Sequence, residues 1–169
     1  MAIKDLNQKF IHDLGAIYDA EHQFLEAQQQ MVQQAQNSTV KTLLQEHITQ
    51  TEQQIQNLEQ VYSTLGEEPK RIKCQAAAGL VADGQKFMKE ASDNPAILDT
   101  VMAGAQAKVE HFEMACYRGL VEGARLMGQD EILQLLQQNL QQEEQTAQRV
   151  EKSMPQLLQQ AMSTQERGR

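Results

Sequence analysis

The sequence predicts an all-α protein built from four long helices and a shorter one. Three observations carry that expectation. Apolar residues recur at helical spacing through almost the whole chain of 169 residues. The composition has three prolines, no tryptophan and 4% aromatic residues, against abundant Gln, Leu, Ala and Glu, which are mostly good helix formers. The few breakers fall in clusters that divide the chain cleanly.

The first helix spans about 4–36, with the stripe Phe10, Leu14, Ile17, Phe24, Met31 and with Tyr18 and Leu25 beside it. Asn37-Ser38 ends it, and Ser38 or Thr39 is expected to cap the next. The second helix spans 39–65, with Val40, Leu44, His47, Thr51, Ile55, Leu58, Tyr62 and Leu65 on one stripe. Gly66 and Pro69 stop it. A long connection follows, carrying 74-CQAAAGLVADGQKFMKEA-91, a shorter helix weakened by Gly79 and Gly84. Asn94-Pro95 opens a helix over 95–127 with a cap and a first-turn proline. Gly128 closes that helix, and the last runs over 130–161 with the stripe Leu133, Leu136, Leu140, Glu143, Ala147, Val150, Met154, Leu157. Pro155 is expected to bend or interrupt its end. Residues 1–162 then form one domain, and 163–169 a disordered tail.

Tight turns at 37 and 128 make two antiparallel hairpins. Two hairpins joined by one long crossover with a short extra helix is the ferritin-like arrangement of a four-helix bundle.

The formal net charge of −8 opposes a nucleic-acid partner held through phosphates, and equally a polybasic membrane site. No apolar run approaches the roughly 20 residues of a membrane span, and no signal peptide opens the sequence. Cys74 and Cys116 have neither metal-type spacing nor a disulfide framework, so a reducing cytoplasm is expected.

The polar residues that interrupt the apolar stripes carry the chemistry. In 108-KVEHFEMACYRG-119, Glu110 and Glu113 share a helix face inside an apolar arc, while His111 points the other way. Glu21 occupies the middle of the first stripe, and Glu143 the middle of the last. Counting outward from the turns puts Glu52 and Gln54 at the height of Glu21, and Glu143 opposite Glu110 and Glu113. His47 lies one to two turns off. Buried carboxylates are costly unless paired, protonated or bound to metal. Several converging in a helical core suit a dinuclear site, and hard oxygen donors suit Fe or Mn. The candidate ligands are therefore Glu21, Glu110, Glu113 and Glu143, with Glu52 or His47 completing the set. Tyr18 or Tyr117 would donate to them, and O₂ or H₂O₂ would be the reactant. The bland alternative is a set of carboxylates satisfied by cations or hydrogen bonds, with His47 a core histidine held by Thr51 or a carbonyl. His12, His22 and His111 read as surface residues.

With 18-YDAEHQ-23, 47-HITQTEQQIQNLEQVYSTLGEEP-69, 74-CQAAAGL-80, 106-QAKVEHFEMACY-117 and 140-LQQEE-144, the chain resembles the YciE/YciF-type ferritin-like bacterial stress proteins over nearly its whole length. The resemblance implies a ferritin-like helical fold, a homodimer and a stress-associated role of undefined chemistry. Broader ferritin-like di-metal proteins present a Glu and a Glu-x-x-His on each hairpin. This sequence departs from that pattern: Glu52-x-x meets Ile55, Glu143-x-x meets Thr146 and Glu144-x-x meets Ala147. The competing expectation is a non-catalytic, dimeric helical stress protein with a vestigial site.

Overall fold

A computed structural model describes residues 3–167. It has five helices: α1 (Leu6–Gln34), α2 (Ser38–Leu65), α3 (Gln75–Glu90), α4 (Pro95–Leu126) and α5 (Asp130–Arg167). None is long and apolar enough to cross a membrane.

The helix ends follow from local chemistry. Asp5 caps α1 by accepting from Gln8 N at 2.8 Å. Asn37, rather than Ser38 or Thr39, caps α2, its side-chain oxygen accepting from Thr39 N at 2.9 Å and Val40 N at 3.3 Å. Asn94 caps α4 through Ile97 N at 3.2 Å, with Pro95 in the first turn as expected. Gly66 (φ 71°) and Gly128 (φ 66°) take the left-handed conformation just past α2 and α4, where a side chain would be strained. Pro155 does not interrupt α5, which continues past Ser163 to Arg167. Of the tail expected at 163–169, Gly168 and Arg169 lie outside the described residues.

Inter-helix contacts give the directions. Gln28 meets Thr51 and Tyr18 meets Glu59, so numbering rises along α1 as it falls along α2. The same inversion relates α4 to α5 (Arg118–Glu144, His111–Glu151), α2 to α5 (Gln50–Thr146, Gln54–Glu143, Asn57–Asn139) and α1 to α4 (Glu21–Tyr117, Phe24–Phe112). Helices α2 and α4 therefore point the same way, and residues 66–94, with α3 packed on α1 and α4, link them.

That link is fastened to α1. Ile72 N donates to Gly15 O at 3.0 Å, and a Cβ at Gly15 would lie 2.7 Å from Ile72 Cγ1, so only glycine permits the approach. Tyr62 OH donates to Lys70 O at 3.0 Å. Asp19 accepts from Cys74 N at 2.8 Å, Arg71 Nε at 2.8 Å and Gln23 Nε2 at 2.6 Å.

The apolar core is in two parts. One contains Phe10, Leu14, Ile17, Phe24, Leu58, Tyr62, Tyr117, Leu120, Ile132 and Leu136. The other contains Met31, Val40, Leu44, Leu98, Met102, Val150 and Leu157. Between them, α2, α4 and α5 each bury a block of polar residues, and α1 buries Gln28 with Glu21 about two turns before it. The polar layer at mid-height holds the candidate site.

Candidate metal centre

Four helices supply the layer. Glu21 (α1), His47 (α2), Glu110 and Glu113 (α4), and Glu143 (α5) are each no more than 1% exposed. Among the described residues, His47, Glu110, Glu113 and Glu143 each bring one donor atom into a group whose atoms all lie within 4.8 Å of one another. Glu21 adjoins that group closely enough for its charge to act on Glu113 and for that of Glu143 to act on it. His47 Nδ1 is 3.3 Å from a Glu110 oxygen.

Glu52 does not join them. Its side chain is exposed, because the face of α2 that turns inward carries His47, Thr51, Gln54 and Asn57. Gln54 takes the place expected of Glu52 and donates from Nε2 to Glu143. Of the two tyrosines, Tyr117 donates to Glu21, whereas Tyr18 donates to Glu59 at 2.9 Å, away from the centre. His12 and His111 are exposed as expected; His22 is half-buried, its ring edge-on to Tyr18.

A layer of neutral donors surrounds the carboxylates. Gln106 Nε2 donates to Glu110 at 2.5 Å. Asn139 donates to Tyr117 OH at 3.1 Å and Gln54 O at 3.2 Å, and accepts from Asn57 Nδ2 at 2.7 Å. Asn139 is fully buried where the stripe expected Leu140, which is half-buried: the inward face of α5 runs Ile132, Leu136, Asn139, Glu143, Thr146, Val150. Asn139, Asn57 and Gln106 gave no sequence signal beyond their spacing from Glu143, Gln54 and Glu110, because amides in Gln-rich stretches look like solvated faces.

The donors are too few for the acids. Among the described residues, Glu21 Oε2, Glu110 Oε2, both oxygens of Glu113, Glu143 Oε2 and both ring nitrogens of His47 have no hydrogen-bond partner. Among the described residues no lysine or arginine pairs with them: the ion pairs of Arg71, Arg118, Arg125 and Arg149 lie outside the layer. Burial, and then the charge of Glu143, push Glu21 up to about 8. Burial pushes Glu110 up to about 7. Glu113 and Glu143 rise well above the usual carboxylate range, from burial first and neighbouring carboxylates next. Burial lowers His47, against the pull of Glu143, and keeps the imidazole neutral, the form that binds metals. Tyr117 stays protonated, and thus a donor, through burial and the adjoining Glu21. A buried His/Glu cluster of this kind could hold a metal.

The domain-of-unknown-function family DUF892 matches residues 5–163. Protein YciF of Escherichia coli (strain K12) is 29% identical over 147 residues, covering 86% of this chain and 88% of the relative. The crystal structure of the E. coli stress protein YciF superposes with a TM-score of 0.87 at 26% identity, over 93% of this chain and 99% of the other. YcfI from Rhodopseudomonas palustris superposes with a TM-score of 0.85 at 31% identity, over 88% and 94% of the two chains. With the family model spanning nearly the whole chain, the chain belongs to the DUF892 family.

Proposed function

We propose that the chain is a ferritin-like four-helix bundle with α3 on its crossover, whose centre binds two Fe or Mn ions and acts on O₂ or H₂O₂. The observation that carries this reading is the set of unpartnered donor atoms on Glu21, His47, Glu110, Glu113 and Glu143. Each unsatisfied buried polar atom costs about 1–3 kcal/mol, more when charged. Divalent cations would offset that cost at one stroke, and mixed carboxylate and imidazole donors suit Fe or Mn. The bound pair would supply Lewis acidity and a template for the oxidant. The protein's own part is positional. Tyr117 fixes Glu21, Gln54 fixes Glu143 and Gln106 fixes Glu110, leaving one oxygen of each free.

The direct test is metal analysis after anaerobic loading with Fe²⁺ or Mn²⁺. About two ions per chain are expected, with a rise in melting temperature. Absence of both sinks the reading.

One observation favours a second reading, a non-catalytic stress protein with a vestigial site. Burial raises all four glutamates, and once protonated they need no counter-charge, so the fold can stand without metal. Titrating Glu113→Gln with Mn²⁺ separates the two. Metal-linked stabilisation that survives unchanged in this variant removes Glu113 from the site.

The stress role named for YciF extends to this chain as part of the proposal. So does a homodimer, for which the exposed Leu126, Leu158 and Met162 offer apolar surface, and a cytoplasmic setting that suits two free cysteines. Sedimentation equilibrium tests the dimer.

A further inference from the structure

Cys74 stands at the N-cap of α3, where Ser, Thr, Asp or Asn is usual, yet its side chain makes no cap hydrogen bond. Its backbone is held instead. The amide donates to Asp19 Oδ2 at 2.8 Å, and the carbonyl accepts from Gln23 Nε2 at 3.3 Å. The thiol has no part in this fastening. It is free in the structure, as is that of Cys116.

The fold brings the two thiols together, although α3 and the greater part of α4 separate them in sequence. Helix α3 runs antiparallel to α4: Gly84 lies against Ala105, and Asp83 pairs with Lys108 at 3.3 Å. Carried back along both helices, the same register sets Cys74 opposite Cys116. The faces agree as well. Ala105, Val109, Phe112 and Cys116 share one face of α4, and Cys74, Ala77, Val81 and Gly84 follow at the same spacing along α3. Helix α1 gives the height independently: Cys74 is bound to Asp19 and Gln23, and Glu21 meets Tyr117, the neighbour of Cys116. Both cysteines line one surface groove, with Ala16 and Phe112 among its other walls. The packing of α3 on α4 is close, for a Cβ at Gly84 would sit 3.5 Å from that of Ala105. A disulfide spans Cβ atoms roughly 3.5–4.5 Å apart.

Burial, and then the charge of Cys74, push the Cys116 thiol up to about 12. Cys74 acts on it more strongly than Asp13 or Glu21 does, as a near neighbour should. A thiol that stays protonated is slow to meet an oxidant by itself, so the first step is assigned to Cys74.

We propose that Cys74 and Cys116 form a reversible disulfide under oxidation by hydrogen peroxide, stapling the link and the start of α3 to α4. Peroxide transfers one oxygen atom to Cys74 Sγ. The O–O bond breaks, an S–O bond forms, and the thiol proton leaves with the other oxygen as water. Cys116 Sγ then attacks Cys74 Sγ. The S–O bond breaks, the S–S bond forms, and the hydroxyl leaves with the second thiol proton as water. The thiol pair loses two electrons, and one peroxide becomes two waters. In reducing surroundings such a bond is transient, which suits a switch rather than a permanent brace.

The inference does not depend on the metal reading, so the experiment uses the full chain with a chelator present. Reduced protein is exposed to stoichiometric hydrogen peroxide, free thiols are counted, and tryptic peptides are weighed. The count should fall from two to none, and peptides 74–86 and 109–118 should appear joined, two hydrogens lighter than the separate pair. The closed loop should raise the melting temperature by roughly 5–10 °C, and dithiothreitol should restore the starting value. Cys74→Ser and Cys116→Ala should each abolish that shift. If either variant folds poorly, the joined peptide in wild type still decides the bond. Wild type that keeps both thiols, links between chains, or stops at sulfinic acid on Cys74 overturns the proposal. Joined peptides without a rise in melting temperature overturn the staple.

Discussion

Asp19 and Asp99 are 6% and 4% exposed, nearly as buried as Glu21, Glu110, Glu113 and Glu143 at 0%, yet the two sets have opposite surroundings. Asp19 gathers the Cys74 amide, Arg71 and Gln23. Asp99 accepts from Gln36 N at 3.0 Å and Asn37 N at 2.8 Å, the donors left free at the turn between α1 and α2. Each aspartate ties a connection to a helix. Burial alone would raise Asp19, but its donors more than offset that and hold it below the ordinary range. The mid-height glutamates have at most one donor apiece, and burial drives them up. A carboxylate kept for structure is supplied with N–H groups; these four are kept short of them. That contrast, more than burial itself, is what makes the cluster able to hold a metal.

The widest gap between the sets should appear on adding metal. At free Mn²⁺ about a hundredfold above its Kd, wild type should gain roughly 3 kcal/mol, read as a higher melting temperature. Asp19→Ala should leave that gain intact, and Glu113→Gln should lose most of it. An equal loss in both variants would erase the distinction.

Without metal the ranking should invert. Asp19→Ala leaves the Cys74 amide and the Arg71 guanidinium without their acceptor and should cost about 2–4 kcal/mol in urea denaturation. Glu113→Gln removes an acid held against its preference and should leave stability unchanged or raise it. Gly15→Ala, which touches only the fastening of the link, should cost about 1–3 kcal/mol and leave metal binding alone.

Acidity sharpens the comparison further. Glu21 and Glu110 titrate at about 8 and about 7 when folded, above their unfolded values. Their contribution to the metal-free fold is therefore complete below the ordinary Glu range near 4.5 and is lost as pH rises through 7 and 8. The lowered Asp19 works in the other direction, stabilising above its unfolded value near 3.8 and losing that contribution as acid protonates the folded form. Metal-free melting temperature should thus fall from pH 5 to pH 8, and saturating Mn²⁺ should reverse the slope, because its ligands must be deprotonated. A flat metal-free profile over that range would count against the raised glutamates. The smallest effect belongs to Glu52→Gln: the residue is exposed, and metal stoichiometry and stability should both stay put.

The stripes made most of this legible. Glu21, Glu110, Glu113 and Glu143 each occupy an apolar position of a 3.6-residue repeat, so burial follows from the pattern. The turns follow from Gly66, Pro69, Asn94-Pro95 and Gly128. For Glu52, a count from the turn gives height without rotation, and rotation is what sends Gln54 inward and Glu52 to water. Asn139 and Leu140 were exchanged for the same reason: a step of one residue turns the helix by about 100°.

The sequence by itself determined that helices form, where they end, and which acids share a face with leucine, because propensity, caps and periodicity act over a few residues. Only the tertiary structure decided which polar groups from different helices meet, that Gly15 must be bare to let the link pass, and that the glutamates find too few donors. Those outcomes depend on helix rotation and mutual distance. Both are set by packing the whole core at once, and no local stretch of chain encodes them.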